Sequence, residues 1–291
     1  MKVAGFTFVR NALKYDYPIV EAILSISPIC DIVIVAVGDS EDDTLGLIQS
    51  IDSTKIKIIH TVWDDSLREG GKVLAVETNK AFQAISKEYD WAFYIQGDEV
   101  VHEADLSIIK AAMENSLQRQ EVDGFLFQYR HFFGSYDYVG SSMRWYPNEI
   151  RVVRNNKSIY SFGDAQGFRK GNNEMLNVVS IPAFINHYGW VKDPKKMQVK
   201  QENFHKLWHD DDWMNTNVPK VAEFDYFKNI DSLERFSESH PKVMQDRIDK
   251  VNWTFNYDIS FNKTPLKQRV KNLLKKLGWD TSYRNYRLLK P

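Results

Sequence analysis

Cysteine is nearly absent from this 291-residue chain: Cys30 stands alone. No intramolecular disulfide can form, which fits a reducing compartment. An excess of one charge is also missing. Lys+Arg 38 against Asp+Glu 39 leaves a formal net charge of -1, without the basic footprint that nucleic acid requires, so no nucleic-acid partner is expected. Long hydrophobic runs are lacking. The strongest, Ile32 to Val37, is far below a transmembrane span, and the apolar stretch after Met1 is too short for a signal-peptide core. The expectation is a soluble, cytoplasmic protein, at most peripheral at the inner face of a membrane. Several glycine signatures are missing too. There is no G-x-G-x-x-G dinucleotide fingerprint and no G-x-S-x-G nucleophile elbow. Thr7-Phe8-Val9-Arg10-Asn11 lacks the glycines of a nucleotidyltransferase phosphate loop. Gly38-Asp39-Ser40-x-x-Asp43 resembles a metal motif of haloacid-dehalogenase phosphatases, but residues 1–37 hold no upstream D-x-D nucleophile motif.

What is present suits a packed α/β protein: 43% of the residues are hydrophobic and 13% aromatic, ample for a core. Val3 to Val9, Ile32 to Val37, Ile56 to His60 and Trp91 to Ile95 read as strands. The second is a continuous β-branched run, as in a strand buried on both faces. Between them, Ile19 to Ile26 follows a helix start at Asp16-Tyr17-Pro18. Leu74, Ala81, Phe82 and Ile85 repeat at helical spacing, as do Leu106, Ile109 and Met113. Strands alternating with helices predict βαβ units around a mostly parallel central sheet flanked by helices. Gly124 to Phe133 reads as a further strand, after which the chain is rich in aromatics, Arg, Asn and Gly.

The division expected is one domain over residues 1–262 and a basic, helical extension over 263–291. In that extension Leu266, Val270, Leu273, Leu274 and Leu277 form an apolar stripe, and nine basic residues from Lys263 to Lys290 face only Asp280. Such a helix fits docking on the domain with a solvated basic face. The same pattern also suits an anionic membrane surface.

In an open α/β sheet, ligands bind beyond the carboxyl ends of the strands. Strand one ends in Arg10-Asn11, strand two in Gly38-Asp39-Ser40-Glu41-Asp42-Asp43-Thr44, and strand four in Gln96-Gly97-Asp98-Glu99. A guanidinium and two acidic loops would converge on one rim, a combination suited to a divalent cation with a diphosphate. Ser40, Asp42 or Asp43 equally suits capping of a helix starting near Thr44.

These stretches resemble family 2 glycosyltransferases with the GT-A fold, over Val3 to about Lys200. Phe8-Val9-Arg10-Asn11 resembles the family's first strand end, and Ser40-Glu41-Asp42-Asp43-Thr44 its S-x-D-x-T loop. Gly71-Lys72 and Asn79-Lys80-Ala81 resemble its third helix. Tyr94-Ile95-Gln96-Gly97-Asp98-Glu99 stands where the family places a D-x-D metal motif, and His187-Tyr188-Gly189-Trp190 resembles a later segment of one branch. The resemblance implies a nucleotide-sugar donor held by Arg10, Asn11, Asp39, Lys72, Gln96 and Asp98. It also implies Mn²⁺ or Mg²⁺ on Asp98 and His187, and a carbohydrate or lipid-linked acceptor. Inversion follows from the resemblance alone, as does a place in cell-surface polysaccharide or glycolipid synthesis. Two positions depart from the family pattern: Asp39 takes a usual glycine position, and Gln96 replaces the first acid of D-x-D.

Other candidates have plainer counterparts. His187 suits either a metal ligand or a half-buried structural histidine. Lys192, Lys196 and Lys200 suit either a diphosphate or solvent. Trp208-His209-Asp210-Asp211-Asp212-Trp213 lies outside the strand-end pattern and reads as a solvated acidic turn. For the base that deprotonates the acceptor, Asp164 in the glycine-flanked Ser161–Gly167 loop is the expected residue, although an Asp there also suits a turn bonded to its own backbone. Glu99 and Glu149 are the other carboxylates considered. A non-catalytic glycan- or nucleotide-binding protein on a decayed transferase scaffold is the alternative, with Gln96 as its support.

Overall fold

The computed structural model describes residues 1–218, 220–230, 232–262 and 284–290. The first half alternates as expected: β1 (Val3–Val9), α1 (Ile19–Ile26), β2 (Ile32–Gly38), α2 (Thr44–Gln49), β3 (Ile56–Thr61), α3 (Lys72–Gln83), β4 (Trp91–Tyr94), β5 (Glu99–Val101) and α4 (Leu106–Asn115). The second half is mostly strand: β6 (Gly124–Phe133), β7 (Tyr138–Gly140), β8 (Asn148–Arg154), β9 (Ile159–Phe162), β10 (Gly167–Lys170), β11 (Glu174–Met175) and β12 (Asn177–Trp190). Then come α5 (Pro194–Phe204), α6 (Asp211–Asn217), β13 (Leu233–Arg235), α7 (Gln245–Asp249) and β14 (Arg287–Leu288).

The central sheet runs β13-β7-β6-β8-β4-β1-β2-β3. Strands β1 to β4 are parallel, with β1 between β2 and β4, and β3 outside β2. The α/β architecture predicted from the alternation is therefore the one observed. The period of two explains how this sheet is buried. Val33, Val35, Trp91 and Phe93 point into one cluster with Ile19 and Ile23 of α1. Their neighbours Ile34, Ala36, Ala92 and Tyr94 point into another with Ala81 and Phe82 of α3. A strand enclosed on both faces needs a continuous apolar run, which β2 supplies.

Beyond β4 the sheet changes character. β8 enters antiparallel between β4 and β6. β12 then pairs parallel with β6 and antiparallel with the short β5. This fork sets His187 opposite His131 on one side and opposite Glu99 on the other. Strands β9, β10 and β11 form a separate antiparallel sheet, and the β9–β10 turn carries Asp164.

The apolar stripe Leu266 to Leu277, and with it the lipid-surface reading, lies outside the described residues. Residues 284–290 are described, and they pack on the domain. β14 pairs parallel with the start of β12; Arg287 N–H donates to the Leu176 carbonyl and Leu289 N–H to that of Val178, both at 2.8 Å. Tyr286 and Leu289 pack against the two core clusters. Among the described residues, no helix is long and apolar enough to cross a membrane.

Candidate active site

A cavity of about 620 Å³ opens beyond the carboxyl ends of β1, β3 and β4. Arg10, Asn11, Gln96, Asp98, Asp164 and His187 all line it. Residues from four separate stretches of sequence thus meet at one cavity beyond the strand ends, the place that strand-end reasoning selects. Asp39 and Lys72 are not part of its lining. The Asp39 side chain is exposed at the rim, while its carbonyl accepts from Arg10 Nε at 2.9 Å. Lys72 is exposed at the start of α3 and pairs with Glu69 at 2.7 Å.

The loops beneath the cavity are built by side chains bonding to backbone. Asn11 has φ 56°, a left-handed conformation that asparagine tolerates better than most residues. Its Oδ1 accepts from Glu41 N–H at 2.7 Å, and its own N–H donates to Ser40 Oγ at 3.0 Å. Asp42 accepts from Lys14 N–H and from the Thr44 N–H and hydroxyl, and Thr44 Oγ1 accepts from Ala12 N–H at 2.7 Å. The S-x-D-x-T stretch therefore clamps the loop after β1. Asp43 alone caps α2, accepting from Gly46 N–H at 3.1 Å.

Asp98 forms the floor of the cavity. Its Oδ2 accepts from Lys200 Nζ at 3.2 Å, and Lys200 also donates to the Gly189 carbonyl at 2.9 Å. Its other oxygen, Oδ1, lies 3.7 Å from His187 Nε2, too far for a hydrogen bond. Burial alone would push the Asp98 carboxyl up, but Lys200, His187 and Lys192 together hold it far below the usual carboxylate range. A side chain at position 189 would enter this space: a Cβ on Gly189 would stand 2.6 Å from Asp98 Oδ2 and 2.7 Å from His187 Nε2.

The donor set therefore fits a divalent cation. One carboxylate oxygen and one imidazole nitrogen lie within the reach of two metal bonds of about 2.1 Å each. Among the described residues no group of three or more His, Cys, Asp or Glu could enclose a metal, so the ligands of a bound substrate would have to complete the shell.

Gln96 has its own structural account. Its Nε2 donates to the Ala165 carbonyl and to Tyr94 Oη, both at 3.3 Å. A carboxylate here would set acceptor against the Ala165 carbonyl, so the departure from D-x-D ties the Asp98 loop to the Asp164 loop. A second tie lies below it. Glu99 and Arg151 are both fully buried and joined by two bonds, Nε to Oε2 at 2.8 Å and Nη2 to Oε1 at 2.7 Å. Tyr129 Oη and Gln96 N–H also donate to Glu99, while Arg151 Nη1 donates to the Gln166 carbonyl at 2.9 Å. Glu99 is thus committed to these bonds and does not line the cavity. Asp164 is half-buried, and burial raises its pKa against the opposing bonds from its own N–H and that of Gln166. A raised pKa makes it a stronger proton acceptor.

Several lining residues were not anticipated. Trp63 stands two residues past the end of β3, against Phe8 at 5.7 Å between ring centroids; the strand-end rule finds it once applied to β3. Arg10 lies over Trp63 and pairs with Asp65 at 2.6 Å. Phe204 and Trp208 line the cavity too. The acidic turn that follows is structural: Asp210 caps α6 by accepting from Trp213 N–H at 2.9 Å, and Asp211 pairs with Arg68 at 2.8 Å. Lys192 is buried but donates to the Asp16 carbonyl, and Lys196 pairs with Asp16 at 3.6 Å. Of the three lysines only Lys200 lines the cavity.

No family model matches the chain, and no curated protein matches it in sequence. Solved structures are similar to it in part. TarS of Staphylococcus aureus matches at a TM-score of 0.41 and 15% identity, over 70% of this chain and 39% of that one. A 4-diphosphocytidyl-2C-methyl-D-erythritol synthase from Anaerococcus prevotii matches at 0.34 and 11%, over 53% and 71%. Glucosyl-3-phosphoglycerate synthase from Mycobacterium tuberculosis, solved with Mn²⁺, UDP and phosphoglyceric acid, matches at 0.31 and 19%, over 45% and 43%. The chain thus spans less than half the length of two of these three.

One buried carboxyl beside the site carries a measurable consequence. Glu149 is pushed up from 4.5 to about 7, by burial first and by repulsion from Glu99 and Asp164, against the pull of Arg151. Its Oε2 is buried without a hydrogen-bond partner. Between these two values the folded protein holds a proton that the unfolded chain has lost, so stability falls as pH rises through this window. Glu149→Gln removes the loss: thermal melts should show the variant more stable than the native protein by about 1–3 kcal/mol near pH 8, and equal to it near pH 4. A native advantage at the higher pH would contradict this.

Proposed function

We propose that this chain is a nucleotide-sugar-dependent glycosyltransferase on a GT-A-type fold, transferring a glycosyl group from a nucleoside-diphosphate sugar to an acceptor hydroxyl. The observation that carries the reading is the Asp98–His187 pair, set beside Lys200 in a cavity that Asp164 also lines. Metal dependence, inversion at the anomeric carbon, and a place in cell-surface polysaccharide or glycolipid synthesis belong to the same proposal.

The departing diphosphate needs positive charge placed before the reaction, and the acceptor hydroxyl needs a base. Lys200 is held at the cavity floor by Asp98 and the Gly189 carbonyl, where it can neutralise a phosphate without reorganising. Arg10, fixed by Asp65 and the Asp39 carbonyl, supplies a second cation at the rim. Phe8 and Trp63 beside it offer a face on which a nucleotide base can stack. Asp98 Oδ1 and His187 Nε2 would hold Mn²⁺ or Mg²⁺, which when bound supplies Lewis-acid stabilisation of the leaving diphosphate. Asp164 takes the acceptor proton. Gln96 and Arg151 keep its loop at a fixed distance from the Asp98 loop by bonding the Ala165 and Gln166 carbonyls.

Donor hydrolysis across a panel of nucleotide sugars with Mn²⁺ tests the reading and separates it from a non-catalytic binding protein, which would bind but release no nucleoside diphosphate. Turnover should need a divalent cation and be largely lost in Asp98→Asn. Full turnover in EDTA, or an unimpaired Asp98→Asn enzyme, would remove the metal from the account.

Asp164 has a separate expected signature. Asp164→Asn should lower kcat by roughly 10²–10⁴-fold, the span for loss of a general base, with donor affinity nearly unchanged. A base must be ionised, so native kcat/KM should fall as pH drops through a value above the ordinary aspartate pKa of about 3.9. That acid limb should vanish in the variant. Near-normal kcat, or lost donor binding, would assign the role elsewhere.

A further inference from the structure

His131 takes no part in the reaction described above, yet its surroundings dictate where the protons sit on His187. It lies on β6 opposite His187 of β12, and its ring is stacked against both Tyr129 and Trp145, at 5.4 and 5.1 Å between centroids. Its Nε2 lies 2.8 Å from the Tyr146 carbonyl. A carbonyl can only accept, so His131 Nε2 carries a hydrogen. Its Nδ1 faces His187 Nδ1 at 3.2 Å. Two N–H groups cannot point at each other over that distance, so one nitrogen is bare. With its hydrogen already on Nε2, a neutral His131 has Nδ1 bare, and His187 Nδ1–H donates to it. A neutral His187 then has no hydrogen on Nε2, and that lone pair faces Asp98 Oδ1 at 3.7 Å.

We infer that His131 is a positioning residue that fixes the tautomer of His187, so that a bare imidazole nitrogen and a carboxylate oxygen face the same point. Without the Tyr146–His131 chain, His187 can place its hydrogen on Nε2 and donate toward Asp98, which closes the lone pair that a cation needs. The hydrogen bond made by one ring nitrogen selects the state of the other. The consequence for metal binding rests on the reading of Asp98 and His187 as a metal pair; the tautomer does not.

The test uses the full chain with Mn²⁺ as the only added ligand. ¹⁵N NMR of the histidine rings reports the tautomer without metal, and titration of free Mn²⁺ by electron paramagnetic resonance reports affinity without turnover. The native protein should show His187 protonated on Nδ1 and bare on Nε2. His131→Phe keeps a stacked ring but no acceptor; it should move the His187 proton to Nε2 and weaken Mn²⁺ binding by roughly 10–100-fold, the usual effect of losing an outer partner of a ligating histidine. His131→Asn, whose amide oxygen can stand at the Nδ1 position, should restore both. A native His187 protonated on Nε2 would overturn the inference, as would a folded His131→Phe protein with tautomer and affinity unchanged. If His131→Phe does not fold, the native tautomer and the His131→Asn protein decide the matter. Absence of Mn²⁺ binding by the native protein, with His187 bare on Nε2, would overturn the metal reading and leave the tautomer inference standing.

Discussion

The buried ion pair between Glu99 and Arg151 is the constraint on which the site depends. Glu99 follows Asp98 directly, and Arg151 reaches the Gln166 carbonyl two residues after Asp164. One guanidinium therefore fixes the spacing between the two carboxylates to which the chemistry is assigned. A buried pair of this kind gains little over an apolar replacement of both partners, but removal of one leaves an uncompensated charge that costs about 3–5 kcal/mol. Its value lies in geometry. Two bonds in a rigid fork define orientation as well as distance, and Tyr129 and Gln96 N–H take up the remaining capacity of the carboxylate.

Around this anchor the charges are arranged with little slack. Asp98 stays ionised although buried because Lys200 and Lys192 lie near it. Lys200 in turn is held by Asp98 and the Gly189 carbonyl, at the place the proposal gives to the diphosphate. Each oxygen of Asp98 has a separate environment, one committed to an ammonium and one facing an imidazole nitrogen. Gly189 permits this close approach, since a methyl group there would overlap both Asp98 and His187. The replacement of an acid by Gln96 belongs to the same design: an amide bonds the Ala165 carbonyl where a carboxylate would repel it.

Much of this was legible in the sequence. The β-branched run of β2 and the alternation through residue 115 gave the parallel half of the sheet, and the strand-end rule led to Arg10, Asn11, Gln96 and Asp98. The misses have physical causes. Motif position suggested Lys72, and the end of β2 suggested Asp39 as well; the first turn of α3 and the rim of β2 leave both side chains exposed and outside the cavity lining. Trp63 belongs to no motif, and only its position two residues past the end of β3 brings it to the cavity. His131 is a lone histidine within a strand, and only the pairing of β6 with β12 gives it a partner. That pairing crosses more than fifty residues, and no local pattern encodes it; parallel insertion of a late strand is set by tertiary packing.

Anomalous diffraction from crystals soaked in Mn²⁺ and a nucleoside diphosphate tests the central claim most directly. The account predicts a manganese peak bonded to Asp98 Oδ1 and His187 Nε2, with the diphosphate completing its shell beside Lys200. A diphosphate bound away from this cavity, or manganese bound elsewhere with Asp98 and His187 free, would contradict it.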